Sequence, residues 1–394
     1  MSRVDDLLVE LAPKGVQLKT LGEVGEFIRG NGLQKSDLKE EGTPAIHYGQ
    51  IHTHYGTWTT GTKSFVSPEL GGKLRRARSG DLVVATTSED DEAVAKATAW
   101  LGHGEVAVSG DAYIYRHTLD PRYVAYFFQS EQFQAQKKRH ITGTKVRRIS
   151  GDSLGKIRIP IPPFEVQREI VRILDNFTEL EAELEAELEA RLRQYEFYRD
   201  LLLGLSGVEG VRSFSVGALC EVSRGRVISK QYLRDHSGAF PVFSSQTENG
   251  GVFGSIESYD YDFESLTWTT DGANAGSIFY HRDQQFSITN VCGLLKVKVP
   301  STLLARYLFY QLQCLAHRYV SIGMGNPKLM AGPMSKIEVP VPPLREQERI
   351  VAILDKFDSL ANDLSIGLPA ELNARRQQYE YYRERLLSFE EAVK

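Results

Sequence analysis

Two stretches of the chain carry the same alternation of apolar and polar positions. In the first, apolar residues fall at Ile170, Ile173, Leu174, Phe177, Leu180, Leu184, Leu188, Leu192, Tyr195, Tyr198 and Leu202. Steps of three and four sustained over this span predict one long helix with a single apolar stripe, from Glu165 to Leu203. At ~1.5 Å per residue it would run about 58 Å. The second stretch repeats the stripe through Ile350, Ile353, Leu354, Phe357, Leu360, Leu364, Leu368, Leu372, Tyr379 and Tyr382. Neither stripe can be buried by its own helix, so the economical arrangement lays one helix on the other. Ile170, Leu174, Phe177, Leu180, Leu184 and Leu188 are then the expected pairing residues of the first. Ile350, Leu354, Phe357, Leu360 and Leu364 are those of the second. The steps of four from Leu180 to Leu192 drift from a strict 3.5-residue repeat, so a left-handed supercoil is not required there.

Both helices open on nearly the same text, "IPIPPFEVQREIVRILDNF" from Ile159 and "VPVPPLREQERIVAILDKF" from Val339. Residues before proline are pushed toward extended geometry, which prevents early helix entry. Pro163 then falls near the first turn, where its missing N–H costs nothing. The second helix carries Gly367 and Pro369, and proline in a helix interior breaks or kinks it.

The segments before the helices also correspond. Gly22–Leu38 aligns with Gly217–Leu233, sharing Gly22/Gly217, Glu26/Glu221, Arg29/Arg224, Gly30/Gly225, Lys35/Lys230 and Leu38/Leu233. "LVVATTS" (Leu82–Ser88) matches Ser265–Asp271, and "AYFFQ" (Ala125–Gln129) resembles "RYLFY" (Arg306–Tyr310). Short β-rich runs and Gly/Asn turns fill both segments. The fold class expected is therefore α+β (mixed α/β), an internal repeat of pseudo-two-fold character. Its divisions are 1–158, a helical region 159–205, 206–338 and a helical region 339–394.

A chain of 394 residues exceeds one ordinary core. Three scattered cysteines (Cys220, Cys292, Cys314) indicate neither a disulfide framework nor a zinc knuckle. No apolar run approaches the ~20 residues of a membrane span, and the N-terminus lacks a signal pattern, so a cytoplasmic protein is expected. The net charge of −4 argues at first against a nucleic-acid partner. However, 11 acidic and 5 basic residues between Glu165 and Asp200 hold all of that surplus. Basic clusters remain at Lys73–Arg78 and Lys137–Arg148. Glu181, Glu183, Glu185, Glu187 and Glu189 read as a solvated helix face, with partner docking as the alternative.

The order of divergent domain, repeated helix, divergent domain, repeated helix resembles the specificity subunit of type I restriction–modification enzymes. The paired helix openings, the endings "QYEFYRDLL" and "QYEYYRERLL" and the "LEAE" units carry the resemblance, which covers essentially the whole chain. It implies two target-recognition domains, each reading half of a bipartite, asymmetric DNA target. It implies an antiparallel coiled coil that separates them and docks two methyltransferase subunits. It further implies restriction/translocase subunits, with S-adenosylmethionine, ATP and Mg2+ in those partners and no cofactor in this chain. The departure at Gly367 and Pro369 leaves the half-site spacing open.

Reading bases in the major groove needs Arg or Lys for guanine, Asn or Gln for adenine, and Ser or Thr for either. In the first domain the candidates are Arg29, Asn31, Lys35, His47, Tyr48, Gln50, His52, His54, Thr86, Thr87 and Ser88. Lys145, Arg147 and Arg148 lie at a glycine-centred turn suited to phosphate. Those in the second are Arg224, Arg226, Lys230, Ser244, Ser245, Gln246, Thr270, Asp271, Asn274, Asn326 and Lys328. Here Gln246 aligns with Gln50 and Lys328 with Arg148. A zinc site at His47, His52 and His54 is the rival reading of that loop. No phosphate loop, methyltransferase motif or nuclease cluster emerges. The expected chain is thus a non-catalytic DNA-recognition subunit, with a free-standing DNA-modifying enzyme or a coiled-coil scaffold as alternatives.

Overall fold

The strand Leu82–Ala85 is buried at every position, as its unbroken apolar run requires of a strand covered on both faces. It lies inside a five-stranded sheet ordered Gly25–Arg29, Ala112–His117, Leu82–Ala85, Ala97–Trp100, Trp58–Thr59. A second, four-stranded sheet is ordered Ser64–Val66, Thr43–Ile46, Val106–Val108, Arg76–Ala77. The computed structural model describes residues 3–205, 209–322, 325–361 and 367–392. These form two units, Met1–Glu185 with Leu372–Lys394, and Ala186–Glu371. The second unit repeats the plan with sheets Cys220–Arg224, Cys292–Val297, Ser265–Thr269, Ile278–His281 and Val252–Ile256, Ser237–Phe243, Ser287–Ile288.

Strand register fixes which residues correspond. Tyr113 faces both Arg29 and Val84, while Gly293 faces both Arg224 and Trp268. Leu82 therefore corresponds to Leu266 and Thr86 to Thr270, one residue away from the sequence alignment. A one-residue slip turns every side chain to the other face, so this correction matters for each residue beyond the strand. Likewise Ile46 corresponds to Phe243, since each accepts the N–H of Ser109 or Thr289. This places Gln50 opposite Thr247 rather than Gln246. The glycines shared by the halves mark a close approach. A Cβ at Gly30 would lie 2.2 Å from Ser109 O, and one at Gly225 would lie 2.1 Å from Ile288 O.

The repeated helix openings are bound to their own domains by matching contacts. Each begins as a strand: Arg158–Ile161 pairs antiparallel with Gln17–Thr20, and Glu338–Val341 with Arg212–Ser215. Pro160 and Pro340 are tolerated because these ladders have only two strands. Their carbonyls accept the hydroxyls of Tyr123 (3.0 Å) and Tyr307 (2.9 Å). Gln167 accepts from Asp120 N–H (2.9 Å) and donates to Pro162 O (2.8 Å); Gln347 accepts from Leu304 N–H (2.9 Å) and donates to Pro342 O (2.8 Å). Tyr126 donates to Asp175 (2.7 Å) and Tyr310 to Asp355 (2.6 Å). Arg122 and Arg306 pair with the same two aspartates. The matching segments are thus Arg122–Gln129 and Arg306–Gln313, three residues out of step with the sequence alignment of Ala125 to Arg306.

One helix runs from Phe164 to Leu203, 40 residues without a break. The second copy forms two helices in the described residues, Leu344–Ala361 and Leu368–Leu386, with Gly367 at φ +83° and Pro369 in the first turn of the latter. Ile170, Leu174, Ile350 and Leu354 are fully buried. Phe177, Leu184, Leu188 and Phe357 are partly buried. Leu180 is 45% exposed and so is not buried in a helix pair as expected. Leu364 and the side chain of Leu360 lie outside the described residues. Within each unit the opening of one copy meets the ending of the other. Phe177 stacks on Tyr382, with ring centroids 5.4 Å apart, and Phe357 on Tyr198 at 5.6 Å. In the first unit Arg376 then binds Glu181 (2.6 Å) and Glu185. Partner numbers fall as helix numbers rise, so the two chain directions oppose there. Those two glutamates are bound to a cation rather than simply solvated, whereas Glu187 and Glu189 pair with Arg191 and Arg193 of their own helix. Among the described residues no helix is long and apolar enough to cross a membrane.

Burial also sets a pH limit. His117 accepts from Leu119 N–H at Nδ1 (3.2 Å), and its Nε2 is buried without a partner. Burial pushes its pKa down to about 4, against the opposing pull of Asp81 and Asp120. The unfolded state therefore binds the proton first, and stability present above pH 6.5 is lost as pH falls toward 4. By pH 5 the loss is on the order of 2 kcal/mol. Thermal unfolding followed from pH 7.5 to 5 should show Tm falling, with a shallower fall for His117→Asn.

Candidate nucleic-acid interface

Beyond Ala85 the chain leaves the buried strand and enters Thr87–Ser88, where it meets the basic hairpin. Arg148 lies opposite Thr87 and Arg147 opposite Ser88. The hairpin closes through Thr142 N–H to Arg148 O (2.9 Å) and Arg148 N–H to Thr142 O (2.8 Å). Gly143 turns it at φ +92°, where a Cβ would meet Val146 O at 2.1 Å. Lys145 and Arg148 are exposed, as phosphate-binding cations must be. Arg147 is engaged instead, with Nε 2.8 Å from the Asp91 carboxylate and the guanidinium donating to Gly143 O. Lys137, counted with the basic cluster in the sequence, is only 1% exposed. Its ammonium donates to Glu92 O (2.6 Å) and Val94 O (2.7 Å), and burial lowers its pKa to about 8.

A second element faces solvent as an open groove of ≈ 520 Å³. Arg29, Asn31, Lys35, His47 and Tyr48 line it together with Asp111. Several of these side chains are already used by the fold. Arg29 Nε donates to Gly110 O (3.0 Å), and Arg224 makes the matching bond to Asn290 O (2.6 Å). Asn31 spans to the next loop, accepting from Arg75 N–H (2.6 Å) and donating to Lys73 O (3.2 Å). Lys35 is exposed. His47 caps the helix Tyr48–Thr53 by accepting from Gly49 N–H (3.2 Å). Burial depresses its pKa, Lys35 adds to the effect, and Asp111 opposes it.

The three histidines proposed as a metal site are engaged separately. Because Thr87 O can only accept, His52 Nε2 at 3.0 Å must carry the proton there. His54 is exposed and packs on Tyr55, with ring centroids 5.0 Å apart. Among the described residues no three His, Cys, Asp or Glu side chains converge as a metal site. Gln50 is bound on both sides, accepting from His47 N–H (3.1 Å) and donating to Ser64 (2.7 Å). Thr86 donates to Asp111 O (3.0 Å), Thr87 is buried, and Ser88 accepts from Asp90 N–H (3.3 Å).

The second unit builds the same junction. Lys328 bridges Asp271 and Ser321 as Arg148 bridges Thr87 and Thr142. Leu329 N–H donates to Thr270 O (3.0 Å) as Ile149 N–H does to Thr86 O (3.2 Å). Lys328, Asn326, Lys230 and Asn274 are exposed, and Asn274 donates to Thr247 (2.9 Å). Arg226 is paired with Asp260 (3.0 Å) and stacks over Tyr232. Ser244 is buried against Thr289, Ser245 is half-buried, and Gln246 donates to Val252 O. Of the cations expected at DNA, Lys35, Lys145, Arg148, Lys230 and Lys328 are exposed with no ion pair among the described residues, while Arg147 and Arg226 are neutralised. Sequence reasoning missed the neutralising acids Asp91 and Asp260. Only their contacts in the fold reveal them, although the run "SEDDE" beside the basic hairpin could have drawn attention to Asp91.

A family model described as type I restriction modification DNA specificity domain matches residues 13–194 and 208–374. A candidate type I specificity subunit of Mycoplasma pneumoniae is 40% identical over 236 residues, covering 58% of this chain and 92% of that one. The specificity subunit of the type I restriction enzyme MpnII, from the same organism, is 40% identical over 206 residues, 50% of this chain and 62% of its own. The crystal structure of a type I restriction–modification S subunit from M. genitalium superposes with a TM-score of 0.58 at 15% identity. It covers 95% of this chain and 96% of that one, a likeness of fold.

Proposed function

The chain belongs to the type I restriction modification DNA specificity family, and from that premise we propose that it is the sequence-reading subunit of such a complex. The recognition domains are residues 1–158 and 206–338, each contacting one half of a bipartite, asymmetric site on duplex DNA. The helical regions 159–205 and 339–394 form an antiparallel coiled coil that sets the gap between half-sites and docks two methyltransferase subunits. Those partners and the restriction subunits, using S-adenosylmethionine, ATP and Mg2+, carry out methyl transfer and cleavage. The observation that carries the reading is the junction built twice. In both units an exposed cation, Arg148 or Lys328, bridges to the end of a buried strand, yet the side chains around it differ. A common phosphate anchor with unlike neighbours suits two domains that grip one polymer and read different bases.

Binding of the full chain with its methyltransferase partner to duplex DNA, titrated at several salt concentrations, tests this. Lys145→Ala with Arg148→Ala should weaken binding to all sequences and reduce the log–log salt slope by about 2. A flat salt dependence in the unaltered complex would favour a protein scaffold instead. The purified chain alone, given DNA and S-adenosylmethionine, should transfer no methyl groups.

A further inference from the structure

At the twice-built junction the two units differ most in one residue. Thr87 in the first unit and Asp271 in the second occupy the same register position, across from Arg148 and Lys328. The neighbours differ with them. Thr86 satisfies its hydroxyl by donating to Asp111 O, whereas Thr270, only 1% exposed, has a buried hydroxyl oxygen with no partner. Asp271 Oδ1 is likewise buried without a hydrogen-bond partner, and its carboxylate has no ion pair among the described residues. The first unit also holds one buried, unpartnered hydroxyl, that of Thr87, so what sets the second unit apart is the unpaired carboxylate of Asp271 at that register position.

An unpaired, partly buried carboxylate is costly to leave unsatisfied, so a ligand that brings a donor recovers that cost on binding. A carboxylate only accepts, and on the base edges of the major groove the donors are the exocyclic amino groups of cytosine and adenine. Guanine O6 and N7 and thymine O4 are acceptors and would face it with lone pair against lone pair. Lys328 offsets the repulsion between Asp271 and nearby phosphates. We infer that Asp271 reads an amino-bearing base in the half-site of the second domain and excludes guanine and thymine there. The first domain has no carboxylate counterpart: Thr87 at the same register position offers only a buried hydroxyl, and Ser88 accepts from Asp90 N–H. This inference rests on the function proposed above and deepens it.

The test maps methylated positions in DNA from a host carrying this chain with its partner subunits, for wild type and Asp271→Asn. An amide offers a donor as well as an acceptor, so Asp271→Asn should relax one base position in one half-site and leave the other half-site intact. An unchanged motif, or a change in both halves, overturns the inference. A wild-type motif that is not bipartite overturns the function proposed above instead. Should Asp271→Asn give no methylation, a second measurement on the wild-type complex decides. Duplexes in which single cytosines or adenines are replaced by analogues lacking the amino group should bind about tenfold more weakly at one position of that half-site. If no position loses more than about twofold, Asp271 does not read an amino group.

Discussion

Gln347→Ala is expected to lower the unfolding temperature of the second unit by roughly 10 °C, the largest effect of any single substitution considered. Gln347 is fully buried. Its amide accepts from Leu304 N–H and donates to the carbonyls of Thr302 (2.9 Å) and Pro342 (2.8 Å). Truncation strands one backbone donor and two acceptors, the Pro342 carbonyl in a buried bond and the other two in partly buried ones, and each unpaired buried group costs about 1–3 kcal/mol. With partial relaxation the total is about 3–5 kcal/mol. Gln347→Met keeps the volume and removes the bonds, so it should lose nearly as much. Recovery of wild-type stability by Met, seen by calorimetry, would show that filling space was the role. Gln167→Ala should act in parallel on the first unit, where Asp120 N–H and Pro162 O lose their partner.

Inserting one further four-residue repeat, Glu-Ala-Glu-Leu, after Leu188 should lengthen the gap in the methylated motif and leave the bases of both half-sites unchanged. The insertion adds about 6 Å and about 40° of rotation to the helix, a displacement near two base pairs of DNA. Both domains, with the contacts at each helix opening, are untouched in sequence. Mapping of methylated positions reads the outcome. Altered bases with an unaltered gap would mean that the helix does not set the spacing.

The duplication was legible because the helix openings share prolines, Gln167/Gln347 and Asp175/Asp355 within a few residues of one another. What those residues do was not legible. Their partners Asp120, Tyr123 and Tyr126 lie 37 to 49 residues upstream, and no local periodicity links them. The same distance explains the slipped alignments. "AYFFQ" and "RYLFY" look alike as strings, whereas the hydroxyl of Tyr310 bonding Asp355 identifies Tyr126 as its true equivalent. Arg148 and Lys328 correspond as the sequence alignment had them, each bridging to the residue beyond its buried strand, Thr87 or Asp271. Arg148 and Lys328 have no ion pair among the described residues, whereas Arg147 and Arg226 are neutralised by Asp91 and Asp260, which only the folded chain brings within reach. Leu180 fitted the stripe by spacing, yet it is exposed, while Glu181 beside it binds Arg376.

Arg376 grips Glu181 and Glu185, one helical turn apart, and the same spacing continues to Glu189. Glutamates repeated at each turn give electrostatics little means of telling one turn from the next, although Glu189 is already paired with Arg193. The rings of Phe177, Tyr379 and Tyr382, with the bonds from Glu131 N–H to Glu384 and from Tyr379 to Gln129, distinguish the correct seat from its neighbours. Such a rod can gain or lose whole turns in evolution with little loss of charge complementarity, so its length is free to drift while its ends stay fixed.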